Sequence, residues 1–129
     1  MERYSATLFL TIEVRSISEG RAVALVHALR ETIYNYIDPL LEKAKLELKG
    51  VNPSMYIPTL VRENNLVTPK GRLYQIRLSA SLQGDAPSQM KMQSRIEVIL
   101  PDIELHLMPV IANAEMRLAG IVLCSPRQI

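Results

Sequence analysis

Residues 72–100 alternate between apolar and polar side chains on both sides of a short turn. The first run is RLYQIRLSASLQ, the turn is GDAPS, and the second run is QMKMQSRIEVIL. A period of two interrupted by glycine, aspartate and proline is typical of a half-buried antiparallel hairpin. We therefore predict a hairpin with one apolar face. Its apolar positions are Tyr74, Ile76, Leu78, Ala80 and Leu82 in the first arm, and Met90, Met92, Ile96, Val98 and Leu100 in the second.

The opposite face of this predicted hairpin is polar and slightly basic. It carries amide, hydroxyl and cationic groups, and Glu97 is its one acid. Such a face is either open to water, as antiparallel sheets often are, or it is a binding surface. Its positions are Gln75, Arg77, Ser79, Ser81, Lys91, Gln93, Arg95 and Glu97.

A third alternating run, residues 4–15, precedes the hairpin. Its even positions from Ala6 to Val14 are apolar, and its odd positions are mostly Ser, Thr, Glu and Arg. This composition predicts a strand with one wet face. Phe9 lies on that wet face, where it is either an isolated exposed aromatic residue or the start of a stacking or subunit contact.

Two consecutive helices are predicted between the first strand and the hairpin. Ser16 or Ser18 can cap the first, and apolar residues recur at helical spacing over residues 19–37. Pro39, with the aspartate before it, is expected to open the second helix, because proline at the first helical position loses no hydrogen bond. That helix would run to about Leu48, and Gly50 would end it.

The rest of the chain is predicted from weaker patterns. Residues 51–71 lack periodicity and contain three prolines, which favours a functional loop or a connector, with a tight turn at 68–71. Alternation predicts further strands over residues 103–107 and 115–124. No repeat or linker is evident, so we expect one domain over residues 1–129. The predicted fold is α+β: an antiparallel sheet of about five strands packed on two consecutive helices, in the order β-α-α-loop-β-β-β-β.

Charge and cysteine content narrow the class of protein. The formal net charge is +2, which permits a phosphate partner without demanding one. Cys124 is the single cysteine, so no internal disulfide can form, and we interpret it as a small apolar strand residue. The N-terminus shows no secretory signal, and no apolar run is long enough to span a membrane. We expect a cytoplasmic or otherwise intracellular protein without a membrane partner.

The sequence lacks the common catalytic and metal-binding patterns. Its glycines are scattered singly, His27 and His106 are far apart, and no serine lies in a nucleophile elbow. Glu13, Glu97 and Glu104 could supply an acid and a base, but they alternate with cations and are expected to form cross-strand ion pairs. We therefore expect no enzyme, no catalytic residue, no metal and no cofactor.

The polar faces of the three runs are expected to combine into one surface. Hydroxyl, amide and guanidinium groups beside an aromatic ring can bind a nucleic-acid backbone and stack a base. Simple solvation is the alternative. The candidate nucleic-acid-binding residues are Phe9, Arg15, Gln75, Arg77, Ser79, Lys91, Gln93 and Arg95.

Self-association is the second expectation. Two helices would not cover a sheet of five strands, so the surplus apolar face would be buried by another copy, in a dimer or larger homo-oligomer. Methionines such as Met90 and Met92 suit an adaptable interface. We therefore predict a non-enzymatic, self-associating structural protein whose basic-leaning sheet face contacts nucleic acid. One alternative is a small enzyme or ligand-binding domain with its site under residues 51–71; another is a regulator that binds protein by edge-strand pairing.

The predicted hairpin sheet with a polar face, together with two helices joined at a sharp corner, resembles the small coat proteins of single-stranded RNA phages. This resemblance implies a dimer that binds an RNA hairpin on its sheet face and assembles into a virion. In that family the sheet precedes the helices, whereas here the helices follow the first strand. No motif carries individual residues over from the family.

Overall fold

The computed structural model describes residues 1–63 and 71–129, so the turn predicted at 68–71 lies outside the described residues except for Gly71. The elements follow one another as β1 (Glu2–Ser16), α1 (Glu19–His27), α2 (Arg30–Lys43), β2 (Glu47–Pro53), β3 (Thr59–Leu60), β4 (Arg72–Ala86), α3 (Gln89–Asn113) and β5 (Met116–Gln128). None of the described helices combines the length and apolar character needed to cross a bilayer.

The strands form one antiparallel five-stranded sheet, which confirms the predicted α+β class. Its order is β2-β4-β1-β5, and the short β3 also pairs with β4. The two long alternating strands, β1 and β4, are therefore the central neighbours. In their register Phe9 lies opposite Ser79 on β4 and opposite Val122 on β5. A helical segment between β1 and β2 and another between β4 and β5 give a split β-α-β topology.

The prediction of a second hairpin strand is wrong, because Gln89–Asn113 is the helix α3. Ser88 caps it, its hydroxyl accepting a hydrogen bond from the backbone N–H of Lys91 at 3.2 Å. The predicted strand at residues 103–107 lies in the same helix, so the order β-α-α-loop-β-β-β-β is also wrong. The resemblance to phage coat proteins depended on this hairpin and loses its basis. The residues that α3 buries are spaced for a helix: Met92, Ile96, Ile103, Leu107 and Ile111.

The boundary between the first two helices also differs from the prediction. Pro39 lies inside α2, and the irregular turn comes earlier, at Ala28 and Leu29. A proline inside a helix leaves the carbonyl four residues before it without its helical partner; here that residue, Asn35, is exposed, so water can replace the lost bond.

The end of α2 is set by Lys45 and not by the glycine that was predicted. Lys45 adopts a left-handed conformation with φ of 59°, and the N–H of Leu46 donates to the carbonyl of Leu41 at 2.8 Å. This is the bonding of a Schellman-type helix end. The chain then turns directly into β2, so Leu48 and Gly50 are strand residues instead of the last helical turn.

All three helices pack on one face of the sheet. The even-numbered residues of β1 point toward them, and Leu8, Leu10 and Ile12 are completely buried. The buried stripes include Ile33 and Ile37 on α2, and Ile103 and Leu107 on α3. Because α3 supplies a third helix, the chain covers its own apolar sheet face. Among the described residues, the apolar sheet face is therefore covered within the chain, and it no longer supports the prediction of self-association.

The two halves of the chain repeat one another, contrary to the expectation that no repeat exists. An offset of 70 residues carries β1 onto β4 residue for residue. The same offset carries the capping serine at 18 onto that at 88 and the intrahelical proline at 39 onto that at 109. It also carries Lys45 onto Glu115, which is likewise left-handed, with φ of 61°. Phe9 and Ser79 are equivalent under this offset and are also paired in the sheet. The pseudo-twofold axis therefore passes between them.

Candidate functional site

The sheet face turned away from the helices, called the outer face below, is formed mainly by the odd-numbered residues of β1 and β4. Their register sets Thr7 opposite Ser81, Phe9 opposite Ser79 and Thr11 opposite Arg77, so these side chains are neighbours on one surface. The prediction that β1 and β4 share a polar face is confirmed. On the neighbouring β5, Val122 lies beside Phe9.

Three side chains form an aromatic–arginine cluster at the middle of the outer face. The rings of Phe9 and Tyr56 meet edge to face, with centroids 5.4 Å apart and an interplanar angle of 83°. The guanidinium carbon of Arg77 lies 4.4 Å from the centroid of the Tyr56 ring, in a cation–π contact. Tyr56 remains 56% exposed. The cluster therefore presents a positively charged, solvent-accessible aromatic surface.

The segment between β2 and β3 holds Tyr56 against the sheet by bonds to β4. The backbone N–H of Ser54 donates to the carbonyl of Arg77 at 3.3 Å, and the Ser79 hydroxyl donates to the carbonyl of Asn52 at 3.5 Å. The Ser54 hydroxyl accepts a hydrogen bond from the N–H of Tyr56 at 3.3 Å. Tyr56 was not among the predicted site residues, because no local signal indicated that its irregular segment folds back over the sheet.

Arg15, a predicted nucleic-acid contact, forms an ion pair within the chain. Its Nη1 donates to Oε2 of Glu63 at 2.8 Å and to the carbonyl of Gly71 at 3.1 Å, while its Nη2 contacts Oε1 of Glu63. The hydrogen bonds from Arg15 hold the pKa of the Glu63 carboxyl below its usual value, and the same bonds raise the pKa of Arg15. Arg15 therefore joins the residues on both sides of positions 64–70.

Gln75, another predicted contact, is also engaged within the sheet. Its amide donates to Oε2 of Glu13 at 3.3 Å, and Arg117 on β5 donates to the other oxygen of that carboxylate at 2.7 Å. The Glu13 side chain is only 8% exposed, whereas that of Arg117 is 75% exposed. This arrangement is the cross-strand ion pairing expected for Glu13 from the sequence.

Arg77 differs from three other arginines of the outer face, whereas Arg127, opposite Ser5 at the end of β5, resembles it in having no ion pair among the described residues. Arg3 pairs with Glu47 at 2.6 Å and with Asp85 at 3.4 Å, and Arg15 and Arg117 have the carboxylate partners described above. Within residues 1–63 and 71–129, Arg77 forms no ion pair. Its guanidinium contacts the ring of Tyr56, which does not neutralise the charge, so the charge stays available to an anionic ligand.

Three predicted site residues lie on the wrong side of the molecule. Lys91, Gln93 and Arg95 belong to α3, which packs on the other face of the sheet. Gln93 donates to Glu97 along the helix at 2.9 Å, and Arg95 donates to the carbonyl of Asp85 at 2.8 Å. The structure thus brings together five of the predicted residues on the outer face: Phe9, Arg15, Gln75, Arg77 and Ser79.

The two histidines lie in open surface grooves. His27 lines a groove of about 620 Å³ with Glu31, and burial, followed by the positive charge of Arg30, lowers its pKa. His106 lines a second groove, of about 650 Å³, and its Nδ1 lies 2.7 Å from the carbonyl oxygen of Asp102. Among the described residues, no three His, Cys, Asp or Glu side chains come together as metal ligands would.

No protein-family model matches the chain, and no curated protein matches its sequence. The geometry of the outer face is therefore the basis for assigning a function.

Proposed function

We propose that this protein is non-enzymatic and that its outer face binds single-stranded nucleic acid. We also propose that it self-associates through its helical layer, where Val98 is 76% exposed, since α3 already covers the apolar sheet face. The observation that carries the nucleic-acid proposal is the aromatic–arginine cluster of Phe9, Tyr56 and Arg77 on an open antiparallel sheet. Sheets that bind single-stranded RNA commonly present aromatic rings on their central strands and stack bases on them.

Tyr56 is the residue best suited to stack a base. Arg77 covers its ring and Phe9 meets it edge to face, so the ring is held in place while more than half of the side chain stays exposed. An aromatic ring fixed before binding loses little conformational entropy when a base stacks on it. Stacking accepts every base, so we expect weak sequence preference.

The groups around the cluster suit a sugar–phosphate backbone. Thr7, Thr11 and Ser81 place hydroxyl groups on the same face, and Arg77 has N–H donors that its contact with the ring leaves free. A duplex would hide its base faces from Tyr56. It would also depend on several free cations, whereas three of the other outer-face arginines are paired with carboxylates. The proposed ligand is therefore single-stranded.

The test is fluorescence anisotropy of a labelled oligothymidine and a labelled oligouridine with the full chain. Tyr56→Ala should weaken binding roughly 5- to 150-fold, because a stacked base contributes about 1–3 kcal/mol. Tyr56→Phe keeps the ring and should bind nearly as well as the wild type. Tyr36→Ala is the matched control, because Tyr36 is an exposed tyrosine (49%) on α2 in the helical layer.

Two results would contradict the proposal. Absence of wild-type binding at low salt would remove the nucleic-acid function, and an equal loss in Tyr36→Ala and Tyr56→Ala would remove the outer face as its site. The self-association is tested separately by light scattering, where a strict monomer at high micromolar concentration would rule it out.

A further inference from the structure

The groove between α2 and α3 has an apolar lining that is open to solvent. Leu40 of α2, Ala44 just after α2 and Ile99 of α3 line it and are partly buried. Val98 lies beside them with 76% of its surface exposed. The groove is separated from the outer face by the sheet, so a ligand of one surface does not cover the other.

Two opposite charges flank Val98 on the same side of α3, and Lys43 at the end of α2 adds a second cation to the groove lining. Arg95 and Asp102 both line the groove and lie about two helical turns apart, a separation of roughly 10 Å along the axis. At that separation they do not pair with each other. In the part of the chain that the structure describes, Asp102 forms no ion pair, and the hydrogen bond from Arg95 goes to a backbone carbonyl.

We propose that this groove is the self-association surface, with α3 packed antiparallel to α3 of a second copy about a twofold axis near Val98. The inference rests on the proposed self-association and names its interface. In this arrangement Arg95 faces Asp102 of the partner subunit, and Asp102 faces Arg95 of the partner subunit, because a twofold interface makes each contact twice. The two Val98 side chains enter the apolar lining at the centre.

The charge pattern favours a second copy over a different partner. A cation and an anion placed symmetrically about an exposed apolar residue are neutralised when the same helix is laid antiparallel against itself. A nucleic acid would meet Asp102 as a repulsive charge, and the lining is mainly aliphatic, with Lys43 and His106 at its edges as the other polar side chains. Leu105, which is 69% exposed, extends the apolar surface by another two turns along α3.

The first experiment measures the native mass by sedimentation equilibrium over a range of concentrations. Val98→Asp should convert the wild-type dimer into a monomer, because it buries a carboxylate at the centre of the interface. Val122→Asp is the matched control: Val122 is also an exposed valine (56%), but it lies on β5 beside the outer face. That variant should keep the wild-type mass. Circular dichroism checks that both variants fold.

The second experiment exchanges the charges. Arg95→Asp and Asp102→Arg should each raise the dimer dissociation constant on the order of tenfold, because each creates two like-charge contacts across the axis. The double variant restores opposite charges and should return the dissociation constant to near that of the wild type. Additive losses in the double variant would overturn the proposed register.

The outcomes separate the two proposals. If the wild type is monomeric throughout, self-association itself is wrong, and the interface goes with it. If the wild type is dimeric and Val98→Asp remains dimeric, self-association stands and this interface is wrong. If Val122→Asp dissociates the dimer and Val98→Asp does not, the copies meet through the outer face or β5 instead.

Discussion

The proposed nucleic-acid site predicts an unusually weak dependence of binding on salt. The logarithm of the binding constant for a single strand falls with the logarithm of the salt concentration, with a slope of about −0.7 for each phosphate neutralised. Arg3, Arg15 and Arg117 already have carboxylate partners, whereas Arg77 has none among the described residues. A strand whose phosphate meets Arg77 at the cluster and no other cation, such as the unpaired Arg127 at the end of β5, gives a slope of about −0.7, and four phosphate contacts would give about −3.

These slopes are easy to tell apart by anisotropy titration. Between about 50 and 200 mM salt, a slope of −0.7 weakens binding roughly threefold, whereas four phosphate contacts would weaken it roughly 50-fold. Arg77→Ala should bring the slope close to zero, and Arg77→Lys should keep it, since lysine retains the charge. Lys91→Ala removes one cation from α3 and should leave the slope unchanged. A wild-type slope near −3, or equal flattening by Lys91→Ala and Arg77→Ala, would refute the assignment.

Two further predictions concern the outer-face ion pair and a glycine beside it. Because Arg15 lowers the pKa of Glu63, the pair contributes stability that is fully present above the ordinary carboxyl pKa and is lost as the pH falls through the lowered value. The stability difference between wild type and Glu63→Gln in urea unfolding should therefore shrink from neutral to acidic pH, and a constant difference would contradict it. Gly71→Ala should cost at least about 2 kcal/mol, because φ is +93° and the new Cβ would lie 2.1 Å from the carbonyl oxygen of Ser16. Gly20→Ala is its control: the added Cβ meets nothing within 4 Å, and urea unfolding should show a gain of about 0.5–1 kcal/mol.

The two central strands were predictable because their alternation is long and uninterrupted. β1 and β4 each bury every second residue, and a period of two over so many positions fits no helix. Predicting those strands also predicted which side chains share the outer face, so Phe9, Arg77 and Ser79 were assigned to one surface correctly. The prediction of an antiparallel sheet followed from the same alternation.

Two parts of the structure were not accessible to the same reasoning. The pattern of residues 90–100 contains apolar positions that suit either period, and only the capping bond of Ser88 and the later buried residues favour the helix. The position of Tyr56 depends on contacts with Arg77 and Phe9, which are remote in sequence, and no short-range rule carries that information. Because α3 was predicted as a strand, its residues Lys91, Gln93 and Arg95 were all assigned to the outer face by mistake.

The internal repeat would have corrected the helix error, and it also explains why the site is harder to predict than the scaffold. Shifted by 70 residues, the helical start at Ser18 falls on Ser88, so the first half predicts the helix that the second half conceals. What the halves share is the buried pattern, because both must cover the same sheet. The outer face is free of that requirement, and there the halves differ. Phe9 is matched by Ser79 across the pseudo-twofold axis, and Arg77 by Thr7. The aromatic–arginine cluster therefore occurs once on a twofold scaffold, where no packing rule demands it.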